Sequence, residues 1–293
     1  MISFVKLPAR LHPAHRETIP SYLSRLAASK GVTAQSLAYD MGVSFKRIIN
    51  LDEDALSRLS KWGALSAKEL HELLSWTGES VGNIRLRLRG ENFVSRGLRN
   101  PIVRGCPLCL KEDVKSHDGD PAEAMVMRGD WQFREVGLCL HHSHPLVELW
   151  VADYPSERYD MGARLNEILP ALMAGKLDKQ LQAPTAFDRW LDDRLEDARD
   201  YTWLAHHDLY AAASFCRILG TELLRLDPQA AANGCGLDMQ ARARGFEVAS
   251  KGEPSILAAL TTLMQSATGR NQEIKAALGH LFYKNISTAS LHL

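Results

Sequence analysis

The chain has 293 residues, 45% of them hydrophobic and 24% charged, the balance of a folded globular protein rather than a disordered or fibrous one. Lys+Arg and Asp+Glu both number 35, which excludes a uniformly basic or acidic surface, so any charge-driven partner must be sought in local clusters. No run approaches the ~20 apolar residues of a membrane-spanning helix. Met-Ile-Ser-Phe-Val-Lys-Leu-Pro at the start lacks the basic segment and apolar core of a signal peptide. The expectation is a cytoplasmic protein without a membrane partner.

The first sixteen residues, with Pro8, Pro13, His12 and His15, read as an extended arm. Ile19, Tyr22, Leu23, Leu26 and Ala27 then form the stripe of an amphipathic helix, capped by Thr18 and ended at Gly31. Arg25 lies off that stripe, placed to meet a phosphate or a carboxylate. Thr33 caps a short helix that buries Leu37 and Ala38. Gly42 turns the chain, and Ser44 caps a second short helix with Ile48 and Ile49 inward. Two short helices joined at a glycine match the helix-turn-helix pattern, with Lys46 and Arg47 as candidate DNA contacts. An ordinary helical hairpin carries the same cues.

Helices are expected to continue over residues 52–88, one of them capped by Ser66 and stopped at Gly78. From Ile84 to Arg104 the charge shifts: Arg85, Arg87, Arg89, Arg96, Arg99 and Arg104 stand against one acid, Glu91. A local arginine stripe is the footprint of a nucleic-acid binder, although a solvated connector has the same composition.

Cys106-Pro-Leu-Cys109 and Cys139-Leu-His-His142 follow, separated by 29 residues. Each half offers two soft ligands at x-x spacing, so Cys106, Cys109, Cys139 and His142 point to a structural Zn²⁺ with four protein ligands and no open position for catalysis. His141 and His144 are rival ligands, and only His142 mirrors the first half's spacing. Lys111–Gly129 reads as a loop with a short helix. Trp131–Phe133 and Val136–Leu138 read as a strand leading into Cys139.

Beyond Trp150, helical spacing recurs over Ser156–Leu177, Ala186–Arg199, His206–Leu226, Pro254–Thr268 and Gln272–Tyr283. The acid-rich Phe187–Asp200 reads as a solvated face, and His206-His207-Asp208 as a helix-start turn rather than a hydrolase pair. No phosphate-binding loop, nucleophile elbow or dinucleotide turn is present, so no enzyme is expected. The expected fold is mainly α: an N-terminal helix-turn-helix-like unit over 1–100, a zinc-knuckle or ribbon module over 101–150, and a C-terminal helical domain over 151–293.

Leu7-Pro8, Ser21-Tyr-Leu-Ser-Arg25-Leu-Ala27, Cys106-Pro-Leu-Cys109-Leu, Trp131 and Cys139-Leu-His-His142 together resemble the TniQ family, transposon accessory proteins related to the target selector TnsD. The resemblance is good over residues 5–150. It is looser beyond, in Asp208-Leu-Tyr, Cys216-Arg-Ile-Leu-Gly220 and Gly245-Phe-Glu-Val-Ala249. The family's acidic-Ser start appears here as Glu17-Thr-Ile-Pro-Ser21, a departure of a few residues. The resemblance implies helix-turn-helix units with a zinc knuckle, engagement of double-stranded target DNA, and a bridge to a TnsC- or TniB-like AAA+ transposition ATPase. In some systems the partner is instead an RNA-guided Cascade complex. It implies no enzymatic activity and leaves the oligomeric state, a homodimer included, open. Two other readings stay beside it: a helix-turn-helix transcription regulator without transposon partners, and a protein-interaction scaffold.

Overall fold

The computed structural model of the chain describes residues 10–82, 84–226 and 236–266. Leu7-Pro8, Cys235 and the helix expected at Gln272–Tyr283 lie outside them. The described residues are mainly helical and divide into two compact units. One takes those up to Gly90 together with Val94–Leu181, the other Glu91–Phe93 and those from Gln182 on. No helix among them is long and apolar enough to cross a membrane.

Five helices open the first unit: α1 (Ile19–Ala28), α2 (Ala34–Asp40), α3 (Phe45–Ile49), α4 (Glu53–Gly63) and α5 (Ala67–Thr77). Each starts at a side-chain cap, because the first N–H groups of a helix have no partner within it. Thr18 accepts from Ser21 N, Thr33 from Ser36 N, Ser44 from Arg47 N and Asp52 from Ala55 N, and Ser66 forms a capping box with Glu69. The faces that these starts align build one core of Ile19, Tyr22, Leu23, Leu37, Ile48 and Leu59, all at most 1% exposed.

The helices do not continue to residue 88. Gly78, at φ +89°, ends α5 in a conformation that an L side chain rarely adopts, and the chain turns into β1 (Glu79–Val81) and β2 (Arg85–Leu88). These strands pair antiparallel, with Glu79 opposite Arg87 and Val81 opposite Arg85. Arg-Leu-Arg-Leu has period two. Leu86 and Leu88 are buried while Arg85 and Arg87 are exposed, so burial selects the strand that four residues fit. Strand β3 (Glu91–Val94), the short helix α6 (Ser95–Leu98) and β4 (Ile102–Gly105) follow.

Helix α7 (Pro107–Lys115) takes the first part of the stretch expected as a loop, with Pro107 in its first turn, and α8 (Pro121–Ala124) follows. Trp131 lies in a 3₁₀ turn, Gly129–Gln132, not in a strand. The reason is steric: a Cβ on Gly129 would stand 2.1 Å from the Trp76 carbonyl oxygen, and this close approach fixes a tight turn against α5. Strands β5 (Leu138–Cys139) and β6 (His144–Pro145) form a small hairpin, and β7 (Val147–Val151) pairs with β4. The helix expected from Ser156 to Leu177 is broken into α9 (Pro155–Arg158) and α10 (Met161–Met173), because Asp160 caps a new start by accepting from Ala163 N.

The N-terminal helices and the Cys/His segment share one body. Thr18 N donates to Met127 O, Met127 N to Ser21 Oγ, and Gly129 N to Arg16 O.

The second unit holds α11 (Ala186–Asp197), α12 (Leu209–Leu226), α13 (Leu237–Ala249) and α14 (Glu253–Ser266). Helix α12 begins at Leu209 rather than His206, because residues 203–206 form a separate 3₁₀ turn. Leu209 N instead donates to Glu91, whose other carboxylate oxygen takes Arg194 Nε at 2.7 Å. Helices α12 and α13 cross at backbone contact. A Cβ on Gly245 would lie 1.7 Å from the Cys216 carbonyl oxygen, and one on Gly220 1.7 Å from that of Ala241.

Two outcomes follow. Arg25 is buried against Glu17, so Arg25→Ala should cost about 3–5 kcal/mol in chemical denaturation, the scale for orphaning a buried charge. Gly245→Ala should destabilise the protein by about 1–3 kcal/mol through overpacking, the opposite sign to the gain of alanine in an open helix, and a denaturation midpoint decides the sign.

Candidate metal centre and basic hairpin

Helix α7 and the β5–β6 hairpin bring the two ligand halves together. Cys106 is the residue before α7 and Cys109 lies in its first turn. Cys139 ends β5, and His142 lies in the turn before β6, where Ser143 at φ +52° reverses the chain. All three cysteines are at most 7% exposed. Nδ1 of His142 stands 3.8 Å from the Cys106 sulfur, 3.2 Å from that of Cys109 and 3.9 Å from that of Cys139. The Cys109 and Cys139 sulfurs are 3.5 Å apart.

Four S/N donors around one Zn²⁺ at their usual bond lengths would be separated by about 3.5–3.8 Å. The observed spacings of 3.2–3.9 Å fit that donor set. Donation from the Cys106 and Cys109 thiols holds the Cys139 sulfur well below the usual thiol range. Contacts of Cys109 with Cys106 and Cys139, with burial added, push its own thiol up. Three sulfurs this close cannot all ionise unless a cation shares the space between them. The four side chains could therefore hold one metal ion.

Of the rival histidines, His144 is 1% exposed, and both its nitrogens are engaged: Nδ1 lies 2.6 Å from Pro145 O, and Nε2 accepts from Lys179 N at 2.8 Å. His141 is turned outward onto Glu112, at 3.1 Å. Glu112 also stands 3.4 Å from Nε2 of His142, so a carboxylate orients the ring from behind, as outer-shell partners of ligand histidines commonly do. Sequence reading missed Glu112. Its place one helical turn after Cys109 becomes a signal only once α7 is known.

The sequence-derived basic residues separate into two groups. Several are engaged within the protein. Arg25 Nη1 meets Glu17 at 2.7 Å and its Nε the Glu123 carbonyl at 2.7 Å, so of its two expected partners it takes the carboxylate. Arg47 is bonded to Asp52 and Asp54. Arg89 lies over the Trp76 ring at 4.6 Å and donates to Ser75 Oγ, and Arg104 donates to Phe133 O. Arg99 is exposed and donates to Ser80 Oγ on β1. By contrast Lys46, Arg85, Arg87 and Arg96 are exposed, without an ion pair or a side-chain hydrogen bond among the described residues. Three of these four lie on or beside the β1–β2 hairpin, since Ser95 N donates to Ile84 O and sets Arg96 next to its tip.

These features define a mainly helical protein with a buried Cys₃His cluster and a basic hairpin in the same unit. The TniQ family model matches residues 8–146, so the stretch that holds all four cluster residues and the hairpin is similar to that family. No curated protein matches the chain.

The cluster predicts about one metal ion per chain. Cys109→Ser, or a strong chelator, should lower the melting temperature of the first unit, as expected where binding free energy is folding free energy. Metal analysis and calorimetry measure both, and an unchanged melting curve in the serine variant would dismiss the cluster as a metal site.

Proposed function

We propose that the protein is a zinc-containing, DNA-binding adaptor of DNA transposition that engages target DNA and recruits a TnsC- or TniB-like AAA+ ATPase. Zn²⁺ on Cys106, Cys109, Cys139 and His142 is structural in this reading: four protein ligands complete its tetrahedron and leave no site for an activated water. The adaptor itself performs no catalysis.

The observation that carries the DNA reading is the group of Arg85 and Arg87 on the hairpin and Arg96 beside it, exposed and without an ion pair, within the stretch that the TniQ model matches. Glu79 is the acid across the strands from Arg87, and exposed arginines without an ion pair are available to an anion, of which phosphate is the one that arginine's planar fork matches best. Lys46 adds one exposed cation on α3. That helix has five residues, little for a recognition helix that must cross a major groove, which favours the hairpin over the helix-turn-helix as the principal contact.

Binding to a non-specific duplex, followed by fluorescence anisotropy across a salt series, tests the proposal. Each phosphate contact adds about −0.9 to the slope of log K against log salt, so Arg85→Ala/Arg87→Ala/Arg96→Ala should flatten it by about 2–3. An unchanged slope and affinity would reduce the arginines to a solvated surface. Recruitment is tested separately, by co-elution of the ATPase with the wild-type chain.

A further inference from the structure

We propose that the tip of the β1–β2 hairpin is a wedge that opens a base step of duplex DNA, with Ile84 the inserted side chain and Arg85, Arg87 and Arg96 its phosphate clamps. The inference rests on the DNA-binding reading above and adds what the hairpin does to the duplex.

Ile84 is 72% exposed, yet its backbone is fixed. Its carbonyl accepts from Ser95 N at 3.1 Å, and the Val81–Arg85 pair closes the strands just behind it. A large apolar side chain is thus exposed at a strand end whose backbone is tied at the Ile84 carbonyl and at the Val81–Arg85 pair. Leu86 and Leu88, the other apolar residues of β2, are 3% and 0% exposed, so the strand has an inner apolar face that Ile84 does not join.

The surroundings of Ile84 select the partner. Arg85 follows it directly, and Arg96 follows the Ser95 that holds it. Glu79, the acid of the hairpin, sits at its open end opposite Arg87, away from the tip. A lone aliphatic side chain flanked by unpaired arginines does not suit an apolar protein groove, which would leave those charges unmatched. It suits DNA, where arginines take the phosphates on either side of a step and an aliphatic residue slips between the bases. Such a contact reads deformability, so flexible pyrimidine–purine steps and steps with a mismatch are favoured over stiff tracts.

The test uses the full chain with two duplexes of one sequence, one fully paired and one mismatched at a central TA step, each with 2-aminopurine beside the step. Wild-type protein should raise the 2-aminopurine fluorescence and bind the mismatched duplex about tenfold more tightly, because part of the unstacking is already done. Ile84→Ser should lose both effects and keep the salt slope, whereas Ile84→Phe should retain them. Binding with a normal salt slope, equal affinity for both duplexes and no fluorescence change would overturn the wedge and leave the adaptor reading standing. An Ile84→Ser variant indistinguishable from wild type would overturn it equally. Absence of salt-dependent binding to either duplex would overturn both proposals.

Discussion

The first unit depends on how the buried carboxylate of Glu17 is satisfied. It is 1% exposed and accepts from Ala14 N, Ser21 Oγ and Arg25 Nη1. Burial pushes this carboxyl above the usual carboxylate range, and Arg25 works against the shift. A charge taken from water is tolerated only where donors replace that water, and here each donor also fixes a segment. Ala14 holds the arm, Arg25 belongs to α1 and reaches the Glu123 carbonyl at the end of α8, and Ser21 Oγ in turn accepts from Met127 N. One acid thereby sets the register between the N-terminal helices and the chain that leads to the Cys/His cluster.

The same economy explains why arginine content alone overstates a binding surface. Arg16 and Arg89 both lie against the Trp76 ring, at 5.2 and 4.6 Å, Arg128 grips Asp113 with two nitrogens, and Arg158 ties the Ala152 and Asp153 carbonyls. These guanidinium groups substitute for caps, turns and core contacts that a mainly helical unit with short strands leaves unmade. Of the basic residues singled out from the sequence, those that remain free for a polyanion among the described residues are Lys46 on α3 and Arg85, Arg87 and Arg96 at the hairpin.

Legibility followed the range of the interaction. Thr18, Thr33, Ser44 and Ser66 could be read as caps because a cap bonds within three residues, and the cysteines paired by spacing because each half is local. The hairpin could not be read in that way: its signal is four residues long, and its alternation is decided by what buries Leu86 and Leu88. Helix α13 escaped for a different reason. It packs through Ala241 and Gly245 against the backbone of α12, and an interface made of small residues leaves no stripe of large apolar ones. Arg25 shows the limit in the other direction, since an off-stripe arginine has the same sequence signature whether it faces phosphate or a buried carboxylate.

The positions of the cluster and the hairpin argue for mechanical coupling between them. Cys106 is preceded by Gly105, where a Cβ would meet the Leu149 side chain at 2.7 Å and the Trp131 ring at 2.9 Å. Trp131 sits in the turn that begins at Gly129, pressed on the Trp76 backbone, and Gln132 Nε2 donates to that same Trp76 carbonyl. On the ring of Trp76 lies Arg89, the residue after β2, whose N–H donates to the Ser75 carbonyl. From the cluster to the foot of the hairpin every link is thus a close-packed contact or a hydrogen bond, with no loop between them to absorb a displacement. Close-packed interiors transmit strain rather than dissipate it. A structural ion on the cysteines would therefore stiffen more than its own loops: it would hold the base from which the hairpin presents its arginines.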